Sequence, residues 1–168
     1  MHPEVVAFVK SCTEVPWDGA VVYEVGAQDV NGATRDLVPQ TYARWVGFDL
    51  VEGPGVDFVG DALEFLPHQE PCDVMISTEV LEHCETWAEL LGAMCDVLKP
   101  GGWMVLTCAG KGRRPHGANG GPLPEPGEWY RNVELHEVDA VCEAHGVTKV
   151  YGEEGFPGDT RYLGKKGD

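Results

Sequence analysis

The chain has 168 residues, of which 43% are hydrophobic and 9% aromatic, and its 28 acidic against 12 basic side chains give a formal charge of −16 at neutral pH. That length suits one ordinary domain, taken as residues 1–168, with core enough to need neither disulfides nor a structural metal. The acidic balance disfavours nucleic acid as a partner, no apolar run approaches the roughly 18 residues of a membrane span, and Met1-His2-Pro3-Glu4-Val5-Val6 is no secretion leader, so a cytoplasmic protein is expected.

Taken in chain order, Glu4 to Cys12 carries Val5, Val6, Phe8 and Val9 and reads as a short helix packed on a sheet. Val21–Val25 is a short apolar run ending at an acid and a glycine, the pattern of a buried parallel strand entering a turn. Asn31-Gly32 supplies turn chemistry, and Ala33 to Leu37 or Val38 forms a short helix stopped by Pro39. Trp45–Asp49 repeats the apolar run and terminal acid, and Val56–Val59 follows the Gly53-Pro54-Gly55 break as a third strand. Met75 and its neighbours make a fourth strand and Trp103–Thr107 a fifth. Between them Trp87, Leu90, Leu91, Met94, Val97 and Leu98 recur at helical spacing, and Lys99-Pro100-Gly101-Gly102 reads as the turn that ends that helix.

From Ala109 to Glu128 the chain holds six glycines and four prolines with hardly an apolar side chain, a loop that either binds a ligand or lacks fixed structure. Leu135, Val138, Val141 and Cys142 mark a further amphipathic helix ending at Gly146, and Val147–Tyr151 and Thr160–Leu163 read as closing strands. The cysteines at 12, 72, 84, 95, 108 and 142 include no CxxC pair and read as reduced, mostly buried thiols. His83 beside Cys84 has no second ligand pair in view, so no metal site is expected. Strands alternating with helices imply a parallel sheet covered on both faces, a doubly wound α/β arrangement. Its ligands bind beyond the carboxyl ends of the strands, where Glu24, Asp49 and Ser77 emerge.

The run Asp73-Val74-Met75-Ile76-Ser77-Thr78-Glu79-Val80-Leu81-Glu82-His83, the helix after it and Leu98-Lys99-Pro100-Gly101-Gly102 together resemble the class I S-adenosylmethionine-dependent methyltransferases. The resemblance runs from about Val21 to Leu106 and more loosely to the end. It implies a Rossmann-like sheet of about seven strands, mostly parallel with the last antiparallel. It also implies S-adenosyl-L-methionine as methyl donor, met by Glu24 and Gly26 at its methionine end and by Asp49 with Leu50 at its ribose. Asp61 and Ala62 would hold the adenine, and Ser77 and Thr78 would line the pocket near the sulfonium. Taken by themselves, Gly26 and Gly32 are ordinary turn residues, and Asp61 could equally cap a helix through Leu66.

A nicotinamide dinucleotide is the competing cofactor for this architecture. Its diphosphate needs closely spaced glycines, whereas here Gln28 stands in place of a second glycine and Glu24 and Asp29 flank the turn. A donor with a sulfonium and an ammonium is attracted to such acids. Asp49, 25 residues beyond Glu24, has the spacing of an acid that accepts from ribose hydroxyls.

The candidate catalytic residues are His83 and His116. His83 is either a general base for an oxygen or nitrogen acceptor or an orienting hydrogen-bond group. Lys111, Arg113, Arg114, His116, Trp129, Tyr130 and Arg131 form the segment expected to meet the acceptor, and its basic residues either hold an anionic group or simply solvate the loop. The reading is thus methyl transfer to oxygen or nitrogen of a small-molecule acceptor, an anionic one if the basic cluster binds it, by a chain that pairs as a homodimer. The alternative is a scaffold of the same fold that has lost methyl transfer.

Overall fold

The computed structural model describes residues 2–118, 121 and 124–168. Among them lie seven strands, β1 (Val21–Val25), β2 (Arg44–Asp49), β3 (Phe58–Val59), β4 (Cys72–Thr78), β5 (Leu98–Ala109), β6 (Val147–Gly155) and β7 (Asp159–Lys166). The α-helices are α1 (Pro3–Ser11), α2 (Ala62–Phe65), α3 (Trp87–Asp96) and α4 (Leu135–Ala144). The strands form one sheet in the order β3-β2-β1-β4-β5-β7-β6. The pairs from β3 through β5 are parallel, and β7 runs antiparallel to both β5 and β6. This is the doubly wound, Rossmann-like α/β sheet expected, with its last strand reversed.

Alternation along each strand divides the apolar side chains between two faces. Tyr23, Val25, Met75 and Leu106 join a cluster with Leu66, Leu91, Met94, Val138 and Cys142, which α3, α4 and the segment after α2 bring to one side. Val22, Val74, Ile76 and Val105 face Val5, Phe8 and Val9 of α1, with Val15, Trp17 and Val38 around them. The second face is covered by a single nine-residue helix and short loops. All six cysteines are free thiols, five of them buried, with Cys95 and Cys142 in contact at 3.9 Å between sulfurs where α3 meets α4.

Several boundaries differ from the sequence reading. Lys99-Pro100-Gly101-Gly102 is not a turn outside the sheet: α3 stops at Asp96, Leu98 already pairs with Cys72, and a register shift carries the strand on to Trp103 opposite Val74. Gly101, at φ 73°, takes the left-handed conformation that lets the extra residues bulge. The segment after Ala33 is a 3₁₀ turn, Thr34–Leu37, and β3 is only two residues long. β6 and β7 extend well past their apolar residues, because a hairpin held by backbone pairing needs no hydrophobic period at its solvent face. The glycine- and proline-rich loop expected over 109–128 begins one residue later, since Ala109 still pairs with Asp159 in the sheet, and its residues 119, 120, 122 and 123 lie outside the described residues.

Candidate active site

Strand order reverses between β1 and β4, and at their carboxyl ends a cleft of about 900 Å³ opens. The turn leaving β1 forms its floor. Gly26 has φ 80°, and a Cβ there would sit 2.1 Å from Val80 Cγ2, so only glycine lets the β1 turn pass beneath the residues leaving β4. Its N–H donates to the Phe48 carbonyl, extending the β1–β2 ladder one step into the turn.

Asp49 ends β2 with both carboxylate oxygens engaged at 3.0 Å, one by the Gln28 N–H and the other by the Val51 N–H. Two loops are thereby tied to one acid, which still lines the cleft. Gln28, standing in place of a second glycine, turns its amide to the Glu52 carbonyl at 3.4 Å and rests its stem against Gly53. Asp61 caps α2, accepting from the Leu63 N–H at 2.9 Å, and also lines the cleft with Ala62. Val30, Leu50 and Val51 stand largely exposed at the lip, an apolar rim that the sequence reading named only at Leu50.

Glu24 and Ser77 do not line the cleft. Glu24 is buried with its carboxylate 2.8 Å from the Trp45 indole N–H, which donates to it. Burial, offset in part by bonds from Thr34 and Trp45, pushes its pKa up to about 7. Ser77 is buried and donates to the Val25 carbonyl at 2.9 Å, pinning β4 to β1. Thr78, one residue on, does reach the wall. The two residues that face inward thus brace the strand ends whose neighbours face the cleft.

The opposite wall is assembled from distant parts of the chain. Glu79, at φ 60° in the left-handed region, accepts from the Thr107 hydroxyl at 3.1 Å and meets His2 at 3.3 Å. Arg113 bonds Asp159, which is fully buried, and lies 3.7 Å from Glu79. Burial drives the Glu79 pKa upward, but the His2 bond and the charges of His2 and Arg113 outweigh it and hold it below the ordinary carboxylate value. Asp159 ends above that value, through burial and the nearby Glu79 charge. Arg113 is therefore not the free cation expected for an anionic acceptor. Arg131 is likewise engaged, bonded to Glu137 and stacked over Trp87 at 5.4 Å, so it does not join a basic cluster. Lys111 and Arg114 are exposed, with no ion pair to either among the described residues.

His83 and His116, 33 residues apart in sequence, are brought together on this wall with ring centroids 5.1 Å apart at 86°. Tyr130 meets both rings edge-on. Burial, then the neighbouring His116, holds the His83 pKa below the ordinary imidazole value. Beneath them Glu82 is wholly buried, and burial followed by the Glu79 charge raises its pKa well above the usual range. The parts that sequence reasoning missed are His2, Asp159 and the burial of Glu82. The first two carried no local motif, and Glu82 was visible only as the middle of Leu81-Glu82-His83.

The family described as methyltransferase domain matches residues 8–151, and the chain belongs to it. The fold is that of the class I S-adenosylmethionine-dependent enzymes. The 1,6-didemethyltoxoflavin-N1-methyltransferase of Burkholderia thailandensis, solved with 1,6-didemethyltoxoflavin and S-adenosylhomocysteine, superposes with a TM-score of 0.70 at 19% identity, covering 99% of this chain and 78% of that one. An S-adenosylmethionine-dependent methyltransferase from Mesorhizobium loti gives 0.70 at 17% identity, over 98% of this chain and 96% of that one. The magnesium protoporphyrin IX methyltransferase of Synechocystis, solved with S-adenosylmethionine, gives 0.65 at 15%, over 97% and 76%. No curated protein matches the chain by sequence. No helix among the described residues is long and apolar enough to cross a membrane.

Proposed function

We propose that the chain transfers a methyl group from S-adenosylmethionine to an oxygen or nitrogen of a small-molecule acceptor. The observation that carries this reading is the sign of charge in the cleft: among the described residues Asp49, Asp61, Glu79 and Glu85 line it, no lysine does, and its one arginine is engaged by carboxylates. Such a wall suits a donor bearing a sulfonium and an ammonium and repels a diphosphate. When bound, that donor supplies an electrophilic methyl group with a good leaving group behind it. The chain's own share is placement and exclusion of water.

Gly26 gives close backbone approach, Asp49 and Leu50 flank the ribose, and Asp61 and Ala62 take the adenine edge. Thr78 stands nearest the reacting end. Glu24 and Ser77 act one layer below, by holding the ends of β1 and β4 in place. His83 and His116 face the acceptor side together with Trp129, where an imidazole could take a proton from a hydroxyl or amine. The fold neighbours named above include methyltransferases of 1,6-didemethyltoxoflavin and of magnesium protoporphyrin IX, both small molecules.

A single domain, a cytoplasmic location and a homodimer go with this reading. Six unpaired thiols suit a reducing compartment, and β6, an edge strand, leaves Val150, Tyr151 and the adjoining Phe156 exposed for a second copy. Calorimetric titration with S-adenosylhomocysteine and with NAD tests the cofactor. Binding of the first alone is expected, and Asp49→Ala should weaken it about 10- to 100-fold, the worth of a charge-assisted hydrogen-bond pair. Binding of NAD alone overturns the assignment, and binding of neither leaves a scaffold.

A further inference from the structure

Glu82 touches no solvent, and neither of its carboxylate oxygens has a hydrogen-bond partner among the described residues. Its own N–H and that of Ala109 approach the carboxylate without closing a hydrogen bond. A carboxylate in that condition is costly, and buried ones in native proteins are paired, hydrogen-bonded or bound to a metal ion. Arg113 does not serve as the partner, because it is bonded to Asp159 and turned to Glu79.

What faces Glu82 is two imidazoles. His116 Nε2 stands 3.8 Å from Glu82 Oε1, too far for a hydrogen bond, and a ring nitrogen of His83 completes three donor atoms all within 4.8 Å of one another. Ligands at about 2.1 Å from a common ion are separated by roughly 3–4 Å, so small side-chain shifts would close this set around one. The orientation of His116 is fixed from behind. Its Nδ1 lies 3.2 Å from the Arg114 carbonyl, and since a carbonyl only accepts, Nδ1 carries a proton and Nε2 is the nitrogen turned toward Glu82, the one that offers a lone pair to an ion in the neutral ring. An imidazole that donates through one nitrogen to a backbone carbonyl is oriented as metal-ligating histidines are. The Tyr130 hydroxyl donates to the same carbonyl at 3.3 Å, and its ring packs on both imidazoles at 5.5 and 5.1 Å.

We infer that Glu82, His83 and His116 form a three-ligand site for one first-row divalent transition-metal ion, with its remaining positions open to the cleft. Two imidazoles with one carboxylate suit ions of the Mn²⁺ to Zn²⁺ series, whereas Mg²⁺ and Ca²⁺ take oxygen ligands. This revises the expectation that no metal binds. His83 and His116 line the cleft while Glu82 lies beneath, so the open positions point where the acceptor is placed, and an acceptor oxygen is the ligand they would take. That last role rests on the proposed function, and with an ion bound it takes the place of direct proton transfer to an imidazole, since a ligating nitrogen has no lone pair to spare; ion binding rests on neither. A second group, His2, Glu79 and Asp159, also meets the distance condition, but Arg113 already supplies its positive charge.

The test uses the whole chain freed of metal by chelation. Calorimetry with Zn²⁺ should show one ion per chain, and Co²⁺ should give visible d–d absorption without a thiolate charge-transfer band. His116→Ala and Glu82→Gln should each weaken binding more than about 100-fold, beyond what loss of a supporting contact costs, while His136→Ala, whose side chain is 77% exposed, should not. Acetohydroxamate, a small oxygen chelator, should alter the cobalt spectrum; an unchanged spectrum would remove the acceptor role. No binding, a thiolate band, or unchanged affinity in His116→Ala would overturn the site, and that loop variant decides even where Glu82→Gln does not fold. S-adenosylhomocysteine titrated into the same samples separates the two ideas. Its failure to bind sinks methyl transfer, while loss of the ion with that ligand retained sinks the metal site alone.

Discussion

The two walls of the cleft are built on opposite principles. The proposed donor side consists of consecutive strand ends, Gly26 after β1, Asp49 at the end of β2 and Asp61 after β3, the two acids fixed by backbone N–H groups of nearby turns and Gly26 by its own N–H to the Phe48 carbonyl. The proposed acceptor side joins residues that are far apart in the chain: His2 meets Glu79 across 77 positions, and Arg113 reaches Asp159 across 46. Backbone geometry holds the first, and charge and ring contacts hold the second. The donor side should therefore respond to changes of shape, and the acceptor side to changes of charge.

The largest effect expected is from Arg113→Met. It leaves the buried carboxylate of Asp159 and the part-buried one of Glu79 with only His2 and the more distant Arg161 as cations among the described residues, and urea unfolding should show a loss of about 3–5 kcal/mol. A next effect breaks the comparison from within the donor side, because Glu24 is a buried charge there. Its folded pKa of about 7 exceeds the ordinary carboxylate value of 4.5, so the folded state holds the proton more tightly. Stability then falls as pH rises from about 4.5 to 7 and stays low above, by about 3 kcal/mol. Glu24→Gln should remove that slope, gaining stability at pH 8 and none at pH 4, as read by urea unfolding across the range.

Gly26→Ala sharpens the contrast. The left-handed φ and the clash with Val80 should cost about 2–3 kcal/mol and abolish S-adenosylhomocysteine binding, with calorimetry as the measure. The smallest effect is expected from Trp129→Ala. Trp129 is 41% exposed on the acceptor side, so stability should move by less than about 0.5 kcal/mol and donor affinity should not change, while methyl incorporation into the acceptor falls.

The same contrast decides what the sequence made legible. Val21–Val25 and Trp45–Asp49 announce themselves because a short apolar run closed by an acid and a turn is a local pattern, and the strands follow it to within a residue. Asp49, Asp61 and Ala62 reach the cleft because strand ends dictate where they emerge. Glu24 sits near the end of β1 yet faces away from the cleft, since period two places alternate residues on opposite faces and Trp45 on β2 offers its indole N–H. The pairing of Leu98 with Cys72 was hidden by Pro100 and Gly101, which read locally as a turn. No local pattern could have joined His83 to His116 or His2 to Asp159, for those encounters depend on how α1 and the loop after β5 fold back across the sheet.

His2 has a practical bearing. It lines the cleft, and its ring is hydrogen-bonded to Glu79 and to Arg113, so anything appended ahead of it emerges beside the reaction chamber. A purification tag placed there, above all a polyhistidine one, would crowd the chamber and compete for cations, whereas the exposed tail at Asp168, beyond β7, offers a handle remote from the chemistry.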